Sequence, residues 1–203
     1  MIELVFVIVV LGILASIAMG RMDRDLRQEA SSTILSHIRL AQQLALRDNK
    51  HLSDNNSTWQ RAYWQIVFDA KEGNYTVCSD LDLNGLIVKK ESAIDPTDGK
   101  YLFNDSTGDS EMSKKVLLKK KFGINSINVS ECGGSNSIAF DYLGRPHINN
   151  SISSNNFSNI MTTDCNLTFT MLIDEDNDGN DDTFIITIKS ETGHSFIVGQ
   201  DNS

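Results

Sequence analysis

The chain has 203 residues and a net charge of −9, with 40% hydrophobic and 22% charged residues. That composition fits a folded domain rather than a disordered tail. The charge is uneven: residues 52–203 hold 22 acidic and 12 basic side chains, an excess that argues against nucleic acid as a partner, because such binding neutralises phosphates with lysine and arginine.

Glu3 stands at the head of Leu4 to Met19, sixteen residues without a charge. A carboxylate carried into a bilayer centre costs about 2.5–3.5 kcal/mol, so one placed there is expected to work, with a positive charge on another chain as its partner. Counting Met1, Ile2 and Gly20, the run approaches the ~20 residues that span a bilayer. A membrane-inserted helix is therefore the expectation. Two other readings stand beside it. A signal peptide needs a basic first segment, where this chain has Glu3, although Ala15-Ser16-Ile17-Ala18 imitates a cleavage site; a buried core helix is the second.

The segment Met1 to Ala15 closely resembles the N-terminal segment of type IV pilins and type II secretion pseudopilins. The resemblance implies a basic leader ending in glycine upstream of Met1, removed by a prepilin peptidase. It also implies an inner-membrane helix with its N-terminus inside and a periplasmic or extracellular domain, and other pilin or pseudopilin subunits as partners. Glu3 would then answer the N-terminal amine of a neighbouring subunit.

Beyond Gly20, Leu26, Ala30, Ile34, Ile38, Ala41 and Ala45 recur at spacings of three and four, the stripe of an amphipathic helix expected to dock on a sheet. No proline interrupts the first ninety-five residues, so one helix to about residue 48 is expected. From Trp59 the period shortens to two: Ala62, Trp64, Ile66 and Phe68 alternate with Arg61, Tyr63, Gln65 and Val67. Asn74 to Cys78, Ile138 to Tyr142, Leu167 to Ile173, Phe184 to Ile188 and Phe196 to Val198 read as further strands. Glycine-bearing turns lie between many of them, the pattern of an antiparallel sheet. The segment Ile138 to Pro146 also resembles the F-D-x-x-G-R hairpin of minor pseudopilins. Ser92–Ser113 and Asn149–Asn159 read as surface loops, and Lys114–Lys121 as a solvated strand flanked by lysines rather than a DNA-binding patch.

Two acidic loops are candidate cation sites. Asp80, Asp82 and Asn84, followed by Gly85 and by Glu91 at the twelfth position, match the calcium loop of an EF-hand, in which alternate oxygens converge on the ion and glycine permits the turn. The strand reading before Asp80 removes the helix pair that frames such loops, so a plain hairpin turn competes. The second loop offers Asp174, Asp176, Asp178 and Asp182, without the closing glutamate. Of the three cysteines, Cys132 in a glycine-rich turn and Cys165 at a strand start form the favoured disulfide. His37, His51, His147 and His194 are scattered, no metal-ligand or nucleophile motif appears, and catalysis finds no support.

The expected fold is α+β: a long N-terminal helix, transmembrane then amphipathic, packed on an antiparallel sheet domain in the manner of a pilin. Residues 1–20 are the transmembrane half, 21–51 the amphipathic half and 52–203 an extracytoplasmic β-rich domain. The expected function is a structural subunit, of the minor kind, of a type IV pilus or type II secretion pseudopilus. The alternative is a signal-anchored binding domain, calcium-dependent, that does not polymerise.

Overall fold

The computed structural model describes residues 2–50, 57–104, 108–134, 136–148, 159–172 and 181–200, side chains excepted at 2, 15–25, 57, 58 and 61. Helix α1 (Ile2–Arg47) carries the stripe that docks it. Ala30, Ile34, Ile38, Ala41 and Ala45 are all buried, and the two isoleucines contribute about 1.5–3 kcal/mol each by leaving water. After a 3₁₀ turn (Ser57–Ala62) come β1 (Trp64–Asp69) and β2 (Asn74–Cys78), then a long excursion and α2 (Leu118–Phe122). β3 (Ile124–Asn128), β4 (Ser137–Phe140), β5 (Pro146–Ile148), β6 (Cys165–Met171), β7 (Thr183–Ile188) and β8 (Ser195–Ile197) complete the domain.

The strands form two four-stranded antiparallel sheets, ordered β2-β1-β4-β5 and β3-β6-β7-β8. Along β6 the alternation is regular, with Leu167, Phe169 and Met171 inward and Asn166, Thr168 and Thr170 half-buried. Phe68 of the first sheet meets Phe169 of the second with ring centres 6.0 Å apart, and Phe169 stacks on Phe184 at 4.9 Å. One core therefore serves both sheets and α1, which packs against β1, β2 and β4 on one side and β7 and β8 on the other.

Several expectations are corrected. The single sheet is two sheets, because β3 and β6 to β8 pair among themselves and not with β1. Among the described residues no helix is long and apolar enough to cross a membrane. The transmembrane half of the expected helix and the single-pass inner-membrane anchor are accordingly not supported. Lys114–Lys121 is not a strand: a 3₁₀ turn (Lys114–Val116) runs into α2, with Val116, Leu118 and Phe122 buried. Ser92–Ser113 is less of a surface loop than its polarity suggests, since Ala93, Asp95 and Leu102 are buried and bridges join Cys78 to Ser92 and Ile94 to Tyr101. β1 begins at Trp64, not Trp59, because Trp59 turns inward from the 3₁₀ turn to pack on Tyr63 and Ala139. Of Asn149–Asn159, all but Asn159 lies outside the described residues.

Cys132 and Cys165 are joined in a disulfide across a sequence separation of 33, and Cys78 is free and buried. Burial pushes the Cys78 thiol up to about 12, with Glu91 and Asp80 adding to it. Native protein kept from reductant is expected to resist alkylation, to show one reactive thiol in denaturant and three after reduction. Losing the bridge should cost about 2–4 kcal/mol in urea unfolding. Three reactive thiols in denaturant without reductant would contradict the bridge.

Candidate functional site

Among the described residues, the head of α1 carries the longest run of exposed large apolar side chains. From Leu4 to Leu14 the large apolar side chains are 37–71% exposed, Val10 least and Phe6 most, and Glu3 is exposed with them. A helix that is apolar all round is a buried helix in its working environment, and an exposed apolar surface this continuous marks an interaction site. Glu3, in the first turn, also complements the positive end of the helix dipole.

Farther along, α1 is pinned to the domain by polar contacts as well as its stripe. Arg39 donates through Nη2 to the Ser195 carbonyl at 2.7 Å, and Gln42 Nε2 donates to the carbonyls of Gly144 and Thr192, both at 2.9 Å. Gly193, at φ +67°, lies so close that an added Cβ would meet the Gly144 oxygen at 2.5 Å. His37 makes the deepest pin. Its Nδ1 is 2.5 Å from the Tyr75 hydroxyl and its Nε2 is 3.4 Å from Asp95. Burial holds the ring below its usual pKa despite Asp95, so the neutral ring accepts from Tyr75 at Nδ1 and turns Nε2–H to the carboxylate. Burial would push Asp95 up, but the Thr97 hydroxyl and amide, Lys115 and His37 hold it down to about 2. Tyr75 is fully buried and its hydroxyl is pushed well up by that burial. The trio serves as a clasp between helix and domain, and His37 and Asp95 also line a surface cleft beside α1.

The third constellation is the loop that leaves β2. The chain departs at Asp80 and comes back through a 3₁₀ turn (Lys89–Glu91), and Ser79 N–H closes the neck on the Glu91 carbonyl at 3.0 Å. Asp80, Asp82 and Glu91 each bring one carboxylate oxygen within 4.8 Å of the others. Glu91 is buried and oriented by the amides of Leu81 at 2.9 Å and Val88 at 3.0 Å. Asn84 donates through Nδ2 to Asp82 at 2.6 Å, while its own Oδ1 accepts from Leu86 N–H. Gly85, at φ +88°, gives its amide to Asp80 Oδ2 at 3.0 Å. Burial pushes the Asp80 carboxyl above its ordinary range, and Glu91 and Asp82 push the same way against the Gly85 amide.

Comparison with protein-family models, curated proteins and solved structures finds no match.

Of the second acidic loop, Asp174, Asp176 and Asp178 lie outside the described residues; Asp182 sits 3.8 Å from Arg27 of α1. The lysines of residues 114–121 are partly committed: Lys115 to Asp95 at 2.9 Å and Lys121 to Glu29 at 3.1 Å. Sequence reasoning missed the clasp of His37, Tyr75 and Asp95, for which only a lone histidine on the apolar face of the helix gave a signal. It also missed the role of Asp141, which accepts from the amides of Leu143 and Arg145, from the Arg145 side chain and from His147.

Proposed function

We propose that this chain is a structural subunit of a filament of the type IV pilus or type II secretion pseudopilus kind, assembling through the head of α1. The observation that carries the reading is the sheath of exposed apolar side chains from Leu4 to Leu14, headed by one acid and left uncovered by its own domain. The stripe of α1 from Ala30 to Ala45 is spent on the domain, so the head is free to bundle with the heads of other copies while the two sheets stay outside. The resemblance of Met1 to Ala15 to pilin and pseudopilin segments supports the same choice. In such a bundle Glu3 meets a positive charge on the adjacent copy, which fixes how far one subunit slides along the next.

Glu3→Ala tests it. Truncating one partner of a buried charge pair costs about 2–5 kcal/mol, so incorporation into filaments, read by shearing and sedimentation, should fall at least tenfold while the domain melts unchanged. Equal incorporation of the variant would remove Glu3 from the mechanism. A wild-type chain that never sediments with filaments would end the reading itself.

A further inference from the structure

We infer that the loop between Asp80 and Glu91 is a calcium site, with Asp80, Asp82 and Glu91 as its carboxylate ligands. Two independent observations meet here. The first is convergence: oxygens sharing one calcium at 2.3–2.6 Å are at most about 5 Å apart, and these three carboxylates already present oxygens within 4.8 Å of one another. The second is an oxygen without a partner. Asp80 is 0% exposed, its Oδ2 takes the Gly85 amide, and its Oδ1 accepts no hydrogen bond. A buried carboxylate oxygen left bare is costly, and a bound cation removes that cost.

Among the described residues, Asp80, Asp82 and Glu91 make no ion pair: Lys89 is turned away to Asp109 at 2.6 Å and Glu111 at 2.5 Å, and Lys90, beside Glu91 in sequence, is exposed and pairs with none of the three. Three carboxylates therefore share a small volume with no positive side chain paired to them among the described residues. The amides of Leu81, Val88 and Gly85 orient two of them but leave lone pairs facing inward. That is an arrangement for a dication.

The donor set selects which one. All three ligands are hard carboxylate oxygens, which suits calcium, magnesium or manganese and gives zinc or copper no nitrogen or sulfur. Magnesium demands near-ideal octahedral geometry and gives up its waters reluctantly. A loop supplying acids at its first, third and twelfth positions, two of them buried, suits the larger and more tolerant ion. Helices do not flank the loop; β2 and the bridge from Cys78 to Ser92 hold its two ends instead. The frame differs from an EF-hand, while the ligand spacing is the same. The inference is independent of the filament reading: assembly without calcium binding, or the reverse, tells the two apart.

The test uses the full chain in nonionic detergent, stripped with EGTA and titrated calorimetrically with calcium chloride. One ion per chain is expected, with a Kd of about 1 mM or tighter. At a hundredfold excess over Kd, Tm should rise by about 5–10 °C. Asp82→Asn, at an exposed position that leaves the fold alone, should weaken binding about tenfold or more. Asp80→Asn keeps an acceptor for the Gly85 amide, so it should fold, melt in EGTA no lower than wild type, and lose the calcium response. Asp176→Asn with Asp178→Asn should bind as wild type does. The inference falls if wild type takes up no calcium, if Asp82→Asn binds undiminished, if the 176/178 pair abolishes binding, or if magnesium chloride binds as tightly as calcium.

Discussion

Asp141→Ala is expected to destabilise the domain by about 3–5 kcal/mol. Asp141 is fully buried at the turn between β4 and β5. Its Oδ1 takes the amides of Leu143 and Arg145, both at 2.9 Å, and its Oδ2 takes Arg145 Nε and Nη2 at 2.8 Å and His147 Nε2 at 3.2 Å. Alanine would leave two turn amides and a buried imidazole with no acceptor, each worth about 1–3 kcal/mol. The Arg145 guanidinium is the partner that suffers least, because its side chain is 39% exposed and water can replace the carboxylate. Arg145→Ala should therefore cost only about 1 kcal/mol, since Asp141 keeps its other donors. Urea unfolding followed by tryptophan fluorescence measures both, because Trp64 pairs directly with Phe140 beside the turn. Equal losses from the two variants would mean that the ion pair, and not the buried acceptor, holds the hairpin.

How far the sequence foretold this depends on phase. The stripe of α1 was legible because Ala30, Ile34, Ile38, Ala41 and Ala45 keep an unbroken helical period, and the core of β6 because its alternation has no defect. β3 was not legible. A register shift between Ile124 and Ser126 puts Ile124 and Ile127, three apart, on the buried side, where a regular strand would place them on opposite faces. The lysine-rich segment misled for a related reason: Leu118 and Phe122, four apart and both buried, are its helical signal, and the lysines between them hide it. Among the candidate site residues, Asp80, Asp82 and Glu91 were legible because the calcium-loop spacing is local. The clasp was not, since His37, Tyr75 and Asp95 come from three distant segments. Asp141 was read as the end of a strand. Its role depends on the turn bringing Arg145 and His147 back to it, which no period in the sequence encodes.

Acid should unfold the chain in two stages, a shallow one and then a steeper one. His37 is held below its ordinary pKa by burial, so the unfolded chain takes up a proton that the folded one refuses. Its contribution to stability is present above about pH 6.5 and is lost gradually as the pH falls below that value. The steeper stage belongs to Asp95 and Asp141, each held down to about 2. Burial opposes ionisation at both. At Asp95 the Thr97 hydroxyl and amide with Lys115 overcome it, and at Asp141 the contacts from His147 and Arg145 do so. A depressed carboxylate stabilises the fold above its unfolded pKa, near 3.8, and loses that contribution as the pH falls towards 2; for these two it is about 2 kcal/mol each. Asp80 works the other way, because its raised pKa makes acid favour the folded state just above pH 3.8. A difference measurement removes that opposition. His37→Gln retains a donor towards Asp95 and an acceptor for Tyr75 but does not titrate. Its Tm should be flat between pH 6.5 and 5, where that of wild type declines, and the two should fall in parallel between pH 4 and 2. A variant that declines as wild type does between pH 6.5 and 5 would show that the clasp is not what the first stage of acid opens.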